Sequence, residues 1–565
     1  MLRLATRLPF LLPSCCHTSS VFLSLFVRSQ SLQEPRREIQ NAAMEQIPCA
    51  KTPLTAKPSE NVSVPSYDSN ELSTGILHFG VGNFARGHQM SYMEDLLAVD
   101  FDNAKTWAYT GVGVREASGK RHQQELGTQG FRYSIVQSDG SGEQQKVQVV
   151  GALRDILVGP TAPGEIVRRI SCKQTRIVSL TITENGYNTP LSDQDDLLMK
   201  LADSAASDAS AFAEADANPG QYNGATYMGY IFAGLKARRA LGNAGITLMS
   251  CDNIPHNGNH MKSKVLSMLE DIDQSLKEWV EDNCTFPNSM VDSITPKTSQ
   301  KLKDELECRF GIADNDPVPR EFFKQWVIED SFAAGRPAWE KVGVQIVKDV
   351  TPYELTKLRM LNVSHTVMGM SGMLKGLENT AEAASDEHVG HLYRSIIAHE
   401  ILPVLELKTD VTNNIDLDEY QSTLKHRFVN GLVDTLPRIA QDTSEKLRVQ
   451  TVPAIIEGLD ANLEMNGLAL TVAAWGHYIN KISDDQETLE DPRADAVMQA
   501  MKDGGIEKLL ETEEMFQQLT GNKTWCQTVV SAYNDVEKEG IEKAITNIYP
   551  LQNCSQEYSP AAKSA

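Results

Sequence analysis

The stretch KLRMLNVSH, residues 357–365, carries three chemically active side chains among mostly apolar ones. Lys357 offers an amine, Asn362 an amide and His365 an imidazole. On an α-helix, with about 100° per residue, His365 lies about 80° and Asn362 about 140° from Lys357, so one wall of a cleft can present all three. An amine beside two hydrogen-bonding groups suits proton transfer from a hydroxyl group. The alternative is a lysine that reaches water and a histidine satisfied within the core.

A glycine-rich turn, GVGNFARGH, follows the apolar run from Ile76 to Phe79 and precedes a stretch with helical spacing. Strand, tight turn and helix in this order begin a nucleotide-binding βαβ unit. Gly80 would make the turn, Gly82 would let the backbone approach a pyrophosphate, and Ala85 would allow close packing of helix on sheet. A lone G-x-G-x-x-A also fits an ordinary turn, and the flanking strand and helix favour the dinucleotide site.

The next predicted strand, TWAYTGVGV, is followed by Glu116. An acid at that place can accept hydrogen bonds from an adenosine ribose, and it favours NAD over NADP because a carboxylate repels a 2′-phosphate. The alternative is a solvated glutamate at a helix start, so one acid leaves NADP open.

Apolar strands alternate with helical stretches through the first half of the chain, as in TRIVSLTITENGY and ITLMSCDNIPHNGN. This alternation predicts an α/β fold, in which a Rossmann-type domain contains a mostly parallel, doubly wound sheet. After about Pro296 strand signals become rare and helical periodicity prevails, which predicts a largely α-helical C-terminal domain. Residues 202–222, poor in large apolar side chains, are expected to form a surface insertion.

These patterns divide the chain into a leader or disordered segment (1–60), a Rossmann-type NAD-binding domain (61–295), a mainly helical substrate and catalytic domain (296–550) and a disordered tail (551–565). The first 43 residues contain arginines and serines but no acid before Glu34, which is typical of a transit peptide. Met44 could also serve as a start, which would leave a cytosolic protein. We therefore expect a cytoplasmic protein, or a mitochondrial or other organellar one if the leader functions.

The composition narrows the choice of partners. With 75 acidic and 53 basic residues, the formal charge of −22 disfavours nucleic acid and anionic membrane. The nine cysteines form no C-x-x-C pair, so neither a zinc site nor a disulfide framework is expected. His256 and His260 are four residues apart, but Pro255 and Gly258 argue against a metal-binding helix. We expect a small-molecule substrate, no metal, and a monomer or small homo-oligomer.

The chain resembles the polyol-specific long-chain dehydrogenases, the mannitol 2-dehydrogenase family, in stretches that run in family order. They are GVGNFARGHQ, LTITENGY, SCDNIPHNGN, FPNSMVDSITP, QWVIEDSF and KLRMLNVSH. The K-x4-N-x2-H pattern of the last stretch is the family's catalytic signature. The resemblance implies NAD-dependent, metal-independent interconversion of a hexitol, such as D-mannitol, and its 2-ketose, D-fructose.

Roles for individual residues follow from the same resemblance. Lys357 would be the general base, and Asn362 and Asn253 would stabilise the developing alkoxide. His365 would orient the reacting oxygen, and Glu354 would belong to a proton path to bulk water.

Further implied contacts involve the substrate chain and the cofactor. Asp292 would bind substrate hydroxyls, and Arg438 and Lys446 match substrate-side positions. Thr443 replaces the usual glycine of the D-G-S-x-K-L pattern, which leaves the local loop shape open. The expected cofactor-binding residues are Gly80, Val81, Gly82, Phe84, Ala85, Arg86, Glu116, Thr183 and Glu184.

Two other hypotheses remain at this point. Hexuronate reductases, which act on fructuronate or tagaturonate, and D-arabinitol 4-dehydrogenases share the catalytic signature, and Arg438 or Lys446 could bind the carboxylate of a sugar acid. A dinucleotide-binding protein without catalysis is disfavoured because Lys357, Asn362 and His365 are all present.

Overall fold

The computed structural model describes residues 59–139, 145–408, 415–430 and 434–551. The predicted leader lies outside these residues except for its last two positions, and the predicted tail lies outside them except for Leu551. The strands are β1 (Val62–Ser63), β2 (Thr74–Phe79), β3 (Ala108–Gly113), β4 (Tyr133–Ser138), β5 (Gln145–Val150), β6 (Leu153–Val158), β7 (Ile177–Leu180), β8 (Thr247–Ser250), β9 (Ser289–Asp292), β10 (Val318–Glu321), β11 (Gln325–Glu329) and β12 (Gln345–Val347).

Five parallel strands form the central sheet, in the order β6-β3-β2-β7-β8. Their residues are nearly all buried, because helices cover both faces of a doubly wound sheet. Leu77 and Phe79 belong to the core on one face, and Ile76 and Tyr109 to the core on the other. This arrangement confirms the predicted Rossmann-type fold.

The chain leaves β2 toward β3 on one side and later returns to β7 on the other side. Strand order therefore reverses between β2 and β7, and in such sheets a crevice opens beyond the carboxyl ends of the strands at this point. The loops after β2, β7 and β8 are the ones that border it.

Two smaller sheets flank the first. One has the order β1-β5-β4-β10, and the other has the order β12-β11-β9, with β9 antiparallel to β11. Strands β10 to β12 lie beyond Pro296, where the sequence gives few strand signals, because they are short and β10 carries buried Arg320 and Glu321 instead of apolar side chains. The division at residue 295 remains a prediction.

The helices up to residue 310 surround the central sheet and the sheet next to it. They are Asn83–Gly87, Gln89–Val99, Phe101–Ala104, Glu116–Gly127, Pro163–Ser171, Asp193–Ser207, Ser210–Ala217, Tyr227–Ala240, Asn257–Ile272, Gln274–Asn283 and Gln300–Phe310. Residues 202–222 are mostly exposed, as expected for a surface segment, but Phe212 and Tyr222 are buried in the core of the central sheet, which the sequence analysis did not predict.

From residue 351 onward the described residues are helical, which confirms the predicted helical C-terminal domain. The helices are Thr351–Thr356, Val363–Lys375, Thr380–Ser385, Glu387–Ile396, Leu402–Leu407, Leu417–Asn430, Leu436–Ala440, Thr443–Lys446, Val452–Asp460, Asn466–Asp484, Ala494–Thr512, Lys523–Glu539 and Ile541–Ile548. Three π-helical turns interrupt them, at Lys357–Asn362, Ile397–Ile401 and Leu447–Thr451. No helix within the described ranges is long and apolar enough to cross a membrane.

The two glycines of the turn after β2 allow the conformation of this turn to be tested by substitution. Gly80 has a φ of +94°, and a Cβ atom there would overlap the carbonyl oxygen of Thr181. We expect Gly80→Ala to lower the free energy of unfolding in urea by at least about 2 kcal/mol, since it adds this overlap to a left-handed backbone.

Gly82 provides the control, because its φ is −82° and a Cβ atom there would meet nothing within 4 Å. We expect Gly82→Ala to keep the parental unfolding free energy within about 0.5 kcal/mol. Equal stability of the two variants would contradict the account of this turn.

Candidate active site

A cleft of about 1430 Å³ lies at the carboxyl ends of β2, β7 and β8, between the sheet and the helical part. Most of the predicted catalytic and substrate residues meet there. The predicted residues that line it are Gly82, Phe84, Thr183, Asn253, Asp292, Lys357, Asn362, His365 and Arg438. The predicted residues that do not are Gly80, Val81, Ala85, Arg86, Glu116, Glu354 and Lys446. The side chain of Glu184 lies outside the described part of the structure.

Two oxygen atoms hold the amine of Lys357 in this cleft. Its Nζ donates to Asn253 Oδ1 at 2.6 Å and to the carbonyl oxygen of Val291 at 2.7 Å. The side chain is buried and forms no ion pair within the described residues. A neutral amine has two N–H groups and one lone pair, so these two bonds use its donors and leave the lone pair.

The turn that carries Lys357 differs from the sequence prediction. Residues 357–362 form a π-helical turn, in which the N–H of Val363 donates to the carbonyl oxygen of Leu358, and the α-helix resumes at Val363. The prediction of an uninterrupted α-helix was therefore wrong. An i→i+5 bond accommodates one more residue per turn than an α-helix, so Lys357 and Asn362, five residues apart, lie closer to the same side than the predicted 140°.

The environment of Lys357 disfavours its ammonium form. Burial lowers the pKa of Lys357, the charge of Asp292 raises it, the charge of Arg427 lowers it, and the charge of Glu354 raises it. Burial is the largest of these effects, since taking a charge from water into protein is costly. The net result is a lysine whose pKa lies below its ordinary value.

Three further polar groups line the cleft without a hydrogen-bond partner in the described structure. They are the amide nitrogen of Asn253, the side-chain amide of Asn362 and the imidazole of His365. Because Asn253 accepts from Lys357 through Oδ1, its Nδ2 remains a donor. Burial lowers the pKa of His365 to about 4, so the ring is neutral at pH 7. Asn362 is buried, and buried polar groups are normally hydrogen-bonded. Asn253 is exposed and His365 is partly exposed where they line the cleft. All three groups are therefore candidates for substrate contacts.

Glu354 lies behind Lys357 rather than in the cleft. Its carboxylate accepts from the backbone N–H of His256 at 3.1 and 3.2 Å, and His256 Nδ1 lies 3.5 Å away. Burial raises the pKa of Glu354, while His256 acts in the opposite direction. The His256 side chain is about half exposed (49%), so the pair connects the interior to solvent.

The sequence prediction missed a buried charge cluster next to Lys357. Arg427 donates to both oxygens of Asp292, at 2.8 and 2.9 Å, and to both oxygens of Glu321, at 2.8 and 3.0 Å. Burial alone would raise the pKa of Asp292, but Arg427 holds it below the ordinary value. Arg427 is seven residues after Tyr420 and therefore lies on the apolar side of its helix, which was the available signal.

The cofactor side of the cleft is made by the loops after β2 and β7. The first N–H groups of any helix have no intrahelical acceptor. In the helix Asn83–Gly87 no side chain caps them, so they can bind a phosphate. The open space above Gly82 fits the close approach of a pyrophosphate. Asp252 Oδ1 accepts the N–H groups of Ile182 and Thr183 at 2.9 and 2.8 Å, and this fixes the loop after β7. These residues fit a dinucleotide.

Two predicted cofactor residues are engaged elsewhere. Arg86 is fully buried and pairs with Asp316 at 3.0 Å, so its guanidinium is bound within the protein and does not face the cleft. Glu116 pairs with Lys120 at 2.6 Å on the solvent side of its helix. Arg121 and His122 of the same helix line the cleft instead.

The two predicted substrate cations also differ in position. Arg438 lines the cleft at its rim and pairs with Asp434 at 3.2 Å. Lys446 Nζ donates to the carbonyl oxygens of Ile439 and Gln441 at 2.8 and 2.6 Å, so it closes a loop of the backbone. Thr443, at the position of the usual glycine, is buried and donates to the carbonyl oxygen of Ala440.

One group of side chains has the spacing of a metal site. Ligand atoms of His122, Glu125 and Asp316 lie within 4.8 Å of one another. Asp316, however, already accepts from His122 at 2.6 Å and pairs with Arg86. The cluster is a buried ion-pair network in which cations already balance the carboxylate.

Comparison with known proteins covers both parts of the chain. Residues 74–341 match the model for the mannitol dehydrogenase Rossmann domain, and residues 349–537 match the model for the mannitol dehydrogenase C-terminal domain. The chain is 34% identical over 493 residues to a mannitol 2-dehydrogenase of Phaeosphaeria nodorum, which covers 86% of this chain and 83% of that protein. It is 36% identical over 418 residues to a polyol:NADP oxidoreductase of Gluconobacter oxydans, covering 74% and 82%.

A solved structure shows the same architecture. The Pseudomonas fluorescens mannitol 2-dehydrogenase, in a ternary complex with NAD and D-mannitol, superimposes with a TM-score of 0.73 at 32% identity. The match covers 87% of this chain and 97% of that chain, so it includes the parallel sheet and the helical part alike.

Proposed function

The chain belongs to the mannitol dehydrogenase family and is a polyol dehydrogenase, and on that premise we propose that it interconverts D-mannitol and D-fructose with NAD. The observation that carries this proposal is the position of Lys357 Nζ, buried in the cleft and bound to two oxygen acceptors. With both N–H groups engaged, the lone pair of the neutral amine is free to take the proton of a carbinol hydroxyl group.

Each polar group of the cleft then has a part in alcohol oxidation. NAD, when bound, supplies the nicotinamide that accepts the hydride from the carbinol carbon. Lys357 removes the hydroxyl proton, while the amide nitrogens of Asn253 and Asn362 donate to the oxygen as it becomes an alkoxide. Removing one such donor costs about 3 kcal/mol in other enzymes. The neutral imidazole of His365 orients the same oxygen.

The proton needs a route from Lys357 to solvent, and Glu354 with His256 offers one. Glu354 lies three residues before Lys357, and its charge acts on that lysine. A carboxyl group with a raised pKa exchanges protons near neutral pH more readily than an ordinary glutamate does. The exposed imidazole of His256 would complete the transfer.

The charges around the cleft favour a neutral polyol over a sugar acid. Lys446 donates to two carbonyl oxygens and is therefore not available to a substrate carboxylate. Arg438 pairs with Asp434 at the rim of the cleft. Asp292 lines the same cleft, and its oxygens are acceptors that offer no donor to a substrate carboxylate. Hydroxyl groups, in contrast, can donate to Asp292.

The preference for NAD over NADP belongs to the proposal as well. It is supported by the solved complex with NAD and by the acidic residue that follows β3. Glu116 points this way less strongly than its sequence position suggests, because its carboxylate is paired with Lys120.

Lys357→Ala should abolish proton abstraction without removing the cofactor site. We expect the rate of D-mannitol oxidation to fall by about 10²–10⁴-fold, with NADH binding, followed by fluorescence titration, unchanged. Lys236→Ala is the control, because that lysine pairs with Asp203, neither residue lines the cleft, and the variant should keep parental rates. Near-parental turnover in Lys357→Ala would remove the lysine from the role of base.

The substrate class can be decided by following NADH consumption with D-fructose and with D-fructuronate at equal concentrations. We expect D-fructose to be reduced and D-fructuronate to react at least about tenfold more slowly, because Asp292 offers acceptors for hydroxyl groups and Lys446 is already bound to two carbonyl oxygens. Rapid turnover of the acid without turnover of the ketose would instead favour a hexuronate reductase.

A further inference from the structure

Arg427 connects the helical part of the chain to β9, the strand whose Val291 carbonyl oxygen accepts a hydrogen bond from Lys357. It lies on the helix Leu417–Asn430, is 6% exposed, and forms two-pronged contacts with Asp292 and with Glu321. Its guanidinium also lies 4.1 Å from the ring centre of Phe323. A buried arginine with two carboxylates and an aromatic face is held in one orientation.

The position of Asp292 makes this contact relevant to catalysis. Val291, the preceding residue, supplies the carbonyl oxygen that accepts from Lys357 Nζ at 2.7 Å. A carboxylate charge is therefore one residue away from the atom that holds the amine. Left unbalanced, such a charge would stabilise the ammonium form of the lysine.

We infer that Arg427 is a positioning residue that keeps Lys357 in its uncharged, proton-accepting form, by fixing and neutralising the carboxylate of Asp292. The inference rests on the proposed role of Lys357 as base and assigns the control of that base to a residue 70 positions further along the chain. Arg427 itself needs no contact with substrate or cofactor to act in this way.

The other charged groups around Lys357 do not replace this control. Glu354, on the preceding turn, raises the pKa of Lys357, as Asp292 does. His365, on the following turn, is neutral at pH 7 because burial lowers its pKa to about 4. Arg427 is thus the cation that opposes the two carboxylates among the groups acting on this lysine.

Removing the arginine removes the main cation that keeps the two buried acids ionised. Burial raises the pKa of Glu321 even beside Arg427, whereas the pKa of Asp292 is lowered by Arg427 and, to a smaller extent, by Lys357. Glu321 is therefore the first of the two acids to take a proton. Without Arg427, Asp292 can stay ionised by pairing with the ammonium form of Lys357, and this coupling raises the pKa of Lys357.

The experiment is the pH dependence of kcat/KM for D-mannitol oxidation in Arg427→Gln. The limb that rises with deprotonation of the base should move to higher pH by about one unit, with activity regained at alkaline pH. A purely structural defect would lower the rates at every pH instead.

Arg336→Gln is the matched control. Arg336 likewise bridges two carboxylates, Asp330 at 2.8 Å and Glu340 at 2.6 Å, but it does not line the cleft. We expect its pH profile to coincide with that of the parent. A shift as large as that of Arg427→Gln would overturn the inference, because it would show that loss of any bridged arginine moves the profile.

Two further variants keep the test decisive. Adding Asp292→Asn to Arg427→Gln removes the unbalanced anion, so the limb should return toward the parental pH while KM for the polyol rises. If Arg427→Gln does not fold, Arg427→Lys keeps one positive charge without the two-pronged geometry and should give a smaller shift in the same direction.

Failure of the inference and failure of the proposed function have different signatures. An unmoved limb in the folded Arg427 variant, together with an inactive Lys357→Ala, overturns the inference alone. An active Lys357→Ala overturns the proposed role of the base, and with it the inference.

Discussion

Two hydrogen bonds from one lysine nitrogen tie the site together. Lys357 belongs to the helical part of the chain, Asn253 to the loop after β8, and Val291 to β9, so the three segments meet at a single Nζ atom. Isolated burial of an ammonium ion costs far more than two neutral acceptors return, and a buried lysine responds by losing its proton. The fold therefore creates the base by placing an amine where it can be held but not charged. The partners are oxygen atoms of an amide and a peptide, which hold the amine without stabilising a charge as a carboxylate would.

The π-helical turn and the buried cluster around Arg427 both serve this placement. The wider turn brings Asn362 toward the side of Lys357, so that an amide donor and the base can address one substrate oxygen. The cluster gives the cleft a carboxylate for hydroxyl groups at Asp292 and balances it with a cation from another element. A lone carboxylate at this place would bind the polyol but would also stabilise the ammonium form of the base. The pairing separates the two effects.

The sequence allowed local features to be predicted and left out those that depend on distant partners. The strand, glycine turn and helix from Ile76 onward are contiguous, and the K-x4-N-x2-H stretch contains its own three polar residues, so both were recognisable. The π-turn at residues 357–362 was not, because its residues also fit an α-helix, whose regular spacing the prediction assumed. Arg427 was missed because its carboxylate partners lie 135 and 106 residues away. Residues 202–222 looked like a surface insertion because Phe212 and Tyr222 are isolated among small and acidic residues, yet these two rings are buried in the core.

The charge state of one side chain decides whether this account is right. Titration of the Lys357 side chain by NMR, in protein labelled with ¹³C at the lysine Cε atoms and assigned by comparison with Lys357→Arg, measures it directly. We expect Lys357 to titrate with a pKa clearly below the ordinary lysine value of about 10.4. A Lys357 signal that titrates at or above that value would contradict it.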